Sequence, residues 1–354
     1  MNDGQQNATS PSGGSRRLGR GLRVVAIGGG TGLSTLLKGL KRYVLPLSSP
    51  APDSPQIAEL CAMVTVSDDG GSSGRLRKEL NMLPPGDIRN CIVALSEDEA
   101  LLSRLFQHRF EKGSGLEGHS FGNLFLAALT SITSDFAEAV RLSSEILVTR
   151  GLIYPATTSN VELEALMEDG SRVRGETKIT ASKGRIREVF LDPPDVQPLP
   201  QTLRAIARAD VICVGPGSLF TSLIPNLLVR GIPRAIADSA AIKVYICNLM
   251  TQANESLGLT AADHIRALTR HAHCERLFDY ALVNRTPVSA EMKAKYAVEG
   301  ASQIVADLDV IEKMGVCPVL GDYLDEGLVA RHATDRVARD LLQLAMQAER
   351  RAPV

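Results

Sequence analysis

Four glycines in five residues, Gly28, Gly29, Gly30 and Gly32, with Thr31 among them, separate a short apolar run, Val24–Ile27, from leucines at helical spacing, Leu33, Leu36, Leu37 and Leu40. The pattern predicts a strand, a tight turn and a helix. Glycine supplies positive φ or lets a ligand approach the backbone. The first turn of a helix offers free N–H groups and the positive end of its dipole, which suits a phosphate. A turn that merely packs helix on strand is the alternative, but four glycines exceed what packing needs. Neither common fingerprint fits. G-x-G-x-x-G fails because position 33 is leucine, and no Gly-Lys-Ser/Thr triplet completes a P-loop. The stretch points to phosphate or nucleotide contact without standard NAD binding or P-loop hydrolysis.

Other chemistry-bearing residues fall in polar loops. Ser67, Asp68 and Asp69 open a glycine- and serine-rich loop, Ser67–Arg77. Adjacent carboxylates suit Mg²⁺ bridging to a diphosphate; one of them capping the next helix is the competing role. Arg75, Arg77 and Arg89 are phosphate candidates because the guanidinium fork matches phosphate oxygens, although Arg75 and Arg77, two apart, do not share a helix face. Asp87 is placed to cap the helix carrying Cys91–Leu95. Asn90 and Asn123 offer donor and acceptor together, fitting a uracil edge, a ribose, an N-acetyl group or a helix cap. A second strand-end turn, Gly215-Pro216-Gly217-Ser218, echoes the first, and Asn248 follows another apolar strand. His271, His273 and Cys274 look like a metal site only superficially, since residues two apart on a helix diverge. No nucleophile elbow or Ser-His-Asp order is evident.

These loops need a scaffold. Apolar strands at 24–27, 58–66, 211–214, 243–247 and 280–283 alternate with helical segments, including 98–112, 120–149, 203–209 and 333–350. The rhythm predicts a Rossmann-like, three-layer α/β/α fold with a mostly parallel sheet. Ligands of such sheets bind at the carboxyl edge, at a switch in strand order. Residues 152–192 break the rhythm with short alternating stretches around Asp169-Gly170. They predict a small β insert outside the cleft within a single domain over 21–350, preceded by a disordered tail, 1–20.

The chain has 354 residues and a net charge of −1, from 39 basic and 40 acidic side chains. This balance advertises neither nucleic acid nor an anionic membrane as partner. Trp is absent and aromatics are 4%, which disfavours base-stacking platforms. No apolar run reaches the length of a membrane span. Six cysteines without a C-x-x-C pair fit reduced, buried thiols in a cytoplasmic protein.

Taken together, Val66–Arg77, Pro84–Asn90, Gly118–Leu124 and Gly215–Ser218 resemble the CofD-like family over roughly residues 22–330, and specifically its gluconeogenesis-factor branch. The resemblance implies a Rossmann-like fold, binding of a UDP-sugar, UDP-N-acetylglucosamine in particular, and a regulatory role in cell shape and envelope synthesis during gluconeogenic growth. The other branch, the 2-phospho-L-lactate transferases, implies a metal-dependent phospho-group transfer, with Mg²⁺ and with Asp68 and Asp69 at its centre. A homodimer is the expected assembly. One departure stands out: where the branch pattern is Met-Thr-Gln-x-Gly-Glu-Thr, this chain has Asn254 and Ser256 in Met250–Ser256. Asparagine tolerates left-handed φ, so the turn is expected to survive.

Overall fold

The structure, a computed structural model, describes residues 21–45, 55–97 and 101–351. The expected tail 1–20 lies outside them. Strand β1 (Leu22–Gly28) runs straight into helix α1 (Gly30–Lys41), followed by β2 (Ile57–Val64), α2 (Gly71–Leu80), α3 (Gly86–Leu95), α4 (Leu101–Gln107), α5 (Phe121–Thr133) and α6 (Phe136–Ile146). Next come β3 (Leu152–Pro155), β4 (Glu162–Met167), β5 (Arg172–Arg174), α7 (Glu176–Ala181) and β6 (Ile186–Asp192). The second half holds α8 (Pro200–Arg208), β7 (Val211–Val214), a π-helical turn (Leu219–Leu223), α9 (Ile224–Leu227), α10 (Ile232–Asp238), β8 (Ile242–Ile246), α11 (Ala261–His271), β9 (Tyr280–Asn284) and α12 (Ala290–Ala297). It closes with α13 (Leu308–Lys313), β10 (Cys317–Gly321), β11 (Leu324–Glu326), β12 (Ala330–His332) and α14 (Thr334–Arg351).

Seven strands form one parallel sheet in the order β10-β9-β8-β7-β1-β2-β3. Strand β1 lies between β2 and β7, with Ala26 opposite Ala62 on one side and Cys213 on the other. Central parallel strands are covered on both faces, so Val24–Ile27 and Val211–Val214 are uninterrupted apolar runs, all buried. Helix α1 packs on α3 and α14, while α8 packs on α10 and α9 on α11, giving the three-layer α/β/α arrangement. From β1 the chain builds outward through β2 and β3, then returns to β7 and builds the other way. The switch point therefore lies between β1 and β7.

Three expectations change. Leu152–Pro155 is not part of the insert: it is the edge strand of the main sheet, with Cys61 opposite Leu152. Four alternating residues look alike in a hairpin and at a parallel edge, and only the partner strand separates them. The insert proper is the antiparallel sheet β5-β4-β6 with α7. Its Leu163, Ala165, Val189 and Leu191 join the main core, and the hairpin turn at Asp169-Gly170 is where the sequence placed it. The helix expected over 120–149 is two: Ser134 ends α5 at φ 54°, and the Asp135 carboxylate accepts from Ala137 N–H and Glu138 N–H to start α6. Helix α4 is shorter than 98–112, and residues 98–100 lie outside the described residues.

Candidate functional site

The two glycine turns meet at the switch point. Gly215 N–H donates to the Ile27 carbonyl at 3.0 Å. The α1 turn then leans on the β7 turn so closely that a Cβ on Gly32 would lie 2.3 Å from the Pro216 carbonyl oxygen. Gly30 holds φ +60°, a left-handed conformation that favours glycine. Asn248, at the end of β8, fixes the second turn reciprocally: its Nδ2 donates to the Gly217 carbonyl at 2.8 Å and its Oδ1 accepts from Gly217 N–H at 3.2 Å.

A cleft of about 890 Å³ opens over these turns. Its floor is Gly29–Gly32 and Pro216–Ser218; one wall is the 248–254 loop, and the other is Tyr296, Glu299 and Ala330–His332. Thr35 and Ser222 complete the floor, and Thr180 of α7 reaches the rim. The insert therefore contributes to the cleft, contrary to the expectation that it lies outside. Burial lowers the His332 pKa to about 4, so the ring is neutral, with Nε2 3.0 Å from the Cys247 carbonyl. A groove of about 1080 Å³ along the β3 edge is larger but remote from the glycine turns. Sequence reasoning passed over Tyr296, Arg331 and His332, which stand singly in segments without a local pattern.

Carboxylates from elsewhere in the chain occupy the helix starts on this floor. Asp87 does not cap its own helix, whose N-cap is Pro85 without a side-chain bond. Instead its Oδ2 accepts from Gly30 N–H at 2.7 Å, so it caps α1 from 57 residues away. Glu255 is 8% exposed, and its Oε1 accepts from Phe220 N–H at 2.7 Å and Thr221 N–H at 2.9 Å, the opening N–H groups of the π-helical turn. Asn254 adopts φ 61°, so the turn survives its departure from the branch pattern, and its Nδ2 donates to the Thr180 carbonyl of α7 at 3.2 Å.

Asp68 and Asp69 do not act as a pair. Asp69 Oδ1 accepts from Thr177 N–H at 2.8 Å and from the Thr177 hydroxyl at 2.6 Å, so it fastens α7. Asp68 takes Gly70 N–H at 2.8 Å and bonds the Ser73 side chain. Beside it lies Glu176, the first residue of α7. Burial, and then the charges of Asp68, Asp87 and Glu255, push the Glu176 pKa up to about 9. Burial also pushes Asp87 to about 6 and raises Asp68, and Gly30 N–H opposes the shift at Asp87. No group of three metal-ligating side chains is assembled among the described residues. Asp68 with water and ligand phosphate is the arrangement left for Mg²⁺, and Asp69 is committed to α7.

The remaining sequence candidates do not line this cleft. Asn123 is 2% exposed; its Nδ2 donates to Ser72 Oγ at 3.0 Å and its Oδ1 accepts from Arg89 at 3.1 Å. Asn90 Oδ1 accepts from Arg89 at 2.7 Å. Ser67 is buried, its hydroxyl 3.1 Å from that of Thr65. Arg75 donates to the Glu117 carbonyl, and Arg77 donates to Asn160 and Val161 of the insert side. His271 is spent on the core: its Nδ1 meets the Ala267 carbonyl and its Nε2 accepts from Val189 N–H.

A parallel sheet wound in both directions from its switch point, with a polar cleft there, defines a Rossmann-like α/β fold. Residues 24–324 match the family model described as 2-phospho-L-lactate transferase CofD. The chain is 50% identical over 322 residues to the gluconeogenesis factor of Halalkalibacterium halodurans, covering 90% of this chain and 95% of that one. It is 47% identical over 329 residues to the Bacillus subtilis gluconeogenesis factor, covering 92% and 99%. A crystal structure of a Bacillus halodurans protein superposes with a TM-score of 0.85 at 48% identity, covering 91% of this chain and all of that one. The chain belongs to the CofD family, in its gluconeogenesis-factor branch.

Proposed function

We propose that the protein binds a nucleotide sugar, UDP-N-acetylglucosamine, in the cleft over the two glycine turns and acts as a regulator in the cytoplasm. In this reading it serves cell-envelope synthesis and cell shape during gluconeogenic growth, through protein partners and as a homodimer. The observation that carries it is the cleft itself: at about 890 Å³ it has the size of a small-molecule site. Thr31, Gly32 and Ser218 form part of its floor, and the first turn of a helix offers backbone N–H groups to a diphosphate. Tyr296 supplies a ring for a base, and exposed Arg331 supplies a guanidinium for the phosphates. Binding needs no activated nucleophile, and Asp87 and Glu255 are already committed to backbone N–H groups at the helix starts. Among the described residues no helix is long and apolar enough to cross a membrane.

The second reading is a Mg²⁺-dependent transfer of a phosphorus-containing group, favoured by the family match and by half-buried Asp68. There Mg²⁺ would supply charge neutralisation on the diphosphate, Asp68 would hold it, and Asp87 would keep Gly30 and the α1 turn in place. Titration calorimetry with UDP-N-acetylglucosamine, UMP, NAD and ATP separates the possibilities. Tightest binding of the UDP-sugar, unchanged on recovery and weakened by Tyr296→Ala, supports the sensor. NAD as the tightest ligand sinks it. Consumption of the UDP-sugar with Mg²⁺, abolished by Asp68→Asn, makes the protein a transferase.

A further inference from the structure

Three arginines from separate elements converge on one short segment. Arg75 of α2 donates to the Glu117 carbonyl at 2.5 Å. Arg109, after α4, donates to the Gly118 carbonyl. Arg89 of α3 donates to Ser120 Oγ at 2.6 Å. Thus three guanidiniums are anchored on the four residues Glu117–Ser120. None makes an ion pair among the described residues. Asp68 and Asp87 act on Arg89 only at a distance, and Glu79 likewise on His119. Arg89 Nε is buried without a partner. Arg75 and Arg109 are exposed while Arg89 is half-buried.

Bringing like charges together opposes folding. Ser72, His119, Ser120 and Asn123 join Arg89 in one hydrogen-bonded network: Ser72 Oγ lies 2.9 Å from His119 Nδ1 and accepts from Asn123, and Ser120 and Asn123 both accept from Arg89. Two serines, a histidine and an asparagine thus maintain a repulsive arrangement, and none of these residues lines the nucleotide cleft. We propose that Arg75, Arg89 and Arg109 form a second anion site, separate from the cleft, which takes the phosphate monoester group of a small molecule. A tetrahedral dianion accepts hydrogen bonds from three directions, whereas a planar carboxylate offers two oxygens in one plane. The assignment does not depend on what occupies the cleft.

The test is calorimetric titration of the full chain with inorganic phosphate at fixed ionic strength, chloride being the balancing anion. Succinate is a parallel probe, and Arg75→Ala/Arg109→Ala the variant. Loss of two charge-assisted contacts is expected to weaken phosphate binding at least about tenfold, while UDP-N-acetylglucosamine behaves as with the unaltered chain. Should the alanine variant fold poorly, Arg75→Gln/Arg109→Gln keeps a polar side chain and removes the charge, with the same expected loss. Equal phosphate affinity in variant and unaltered chain, no phosphate binding by either, or succinate binding as tightly as phosphate overturns the proposal.

Discussion

Gly32→Ala sets two known effects against each other. In an ordinary helix this change stabilises, by roughly 0.5–1 kcal/mol. Here the new Cβ would lie 2.3 Å from the Pro216 carbonyl oxygen, 2.7 Å from its carbonyl carbon and 3.0 Å from Gly217 Cα, all backbone atoms. The first contact is about 1 Å short of van der Waals separation. Neither side yields easily: Gly215 N–H is bonded to Ile27, and Gly217 is held at both N–H and carbonyl by Asn248. Overpacking of this kind costs about 1–3 kcal/mol or more, so it outweighs helix propensity. The expected net destabilisation is about 1–2 kcal/mol, a fall of roughly 1–3 °C in melting temperature for a domain this large. Separating the turns also displaces Thr31 and Gly32 N–H from Ser218, so affinity for UDP-N-acetylglucosamine should drop at least about tenfold. Urea denaturation and calorimetric titration read the two effects. Gly327→Ala, which meets nothing within 4 Å, is the neutral control. A Gly32→Ala protein that gains stability and binds normally would refute the contact between the turns as the basis of the cleft.

Glu176→Gln should alter the pH dependence of stability. The native carboxyl titrates near 9, well above its unfolded value, so the fold holds a proton that the unfolded chain releases. Stability is then full below about pH 4.3 and declines as pH rises toward 9; with solvent screening the decline is roughly 1–3 kcal/mol. The variant lacks this decline, so its advantage should grow from pH 5 to pH 9, and parallel urea curves across that range would contradict the assignment. Asn254→Gly retains the left-handed turn but removes the bond to Thr180, and Asp69→Ala removes the bonds to Thr177; each should speed amide hydrogen exchange across 176–181, and unchanged exchange would show that α7 is held by other contacts. Tyr296→Ala should weaken UDP-N-acetylglucosamine binding by about 5- to 150-fold if a base stacks on it, whereas undiminished affinity in calorimetry would move the base elsewhere.

Local signals carried the scaffold and failed where the partner was remote. Val24–Ile27 reads as a buried strand because a short apolar run bounded by a glycine turn suits a strand covered on both faces, and the alternation of such strands with helices makes the sheet parallel. The glycines after it read as a turn because Gly30 and Gly32 meet constraints that larger residues cannot. Asp87 was misplaced because an acidic residue at a helix start normally serves that helix, and nothing nearby in sequence reveals that Gly30 takes its carboxylate. Asn90 and Asn123 were legible as polar recognition residues, yet the group they hold is Arg89. Tyr296 and Arg331 gave no signal, since a single aromatic or arginine in a polar segment looks like surface until the chain folds it over the turns.

The two helix starts at the switch point constrain the ligand more narrowly than the glycine content does. An empty helix N-terminus would seat one phosphate on its axis. Here Asp87 already takes Gly30 N–H at α1, and Glu255 takes Phe220 and Thr221 N–H at the π-helical turn. Both axes are filled by the protein's own carboxylates. The residues next to these that line the cleft are Thr31 and Gly32 on one turn and Ser218 on the other. They flank the junction where Gly32 touches Pro216. A single phosphate on either axis would meet a carboxylate, and repulsion would oppose it. Two linked phosphates laid across the junction can engage both turns while staying off both axes. If the proposed nucleotide sugar binds here, its diphosphate is expected to bind more tightly than a monophosphate, so UMP is the most informative competitor: it keeps the base and ribose and lacks the bridging group.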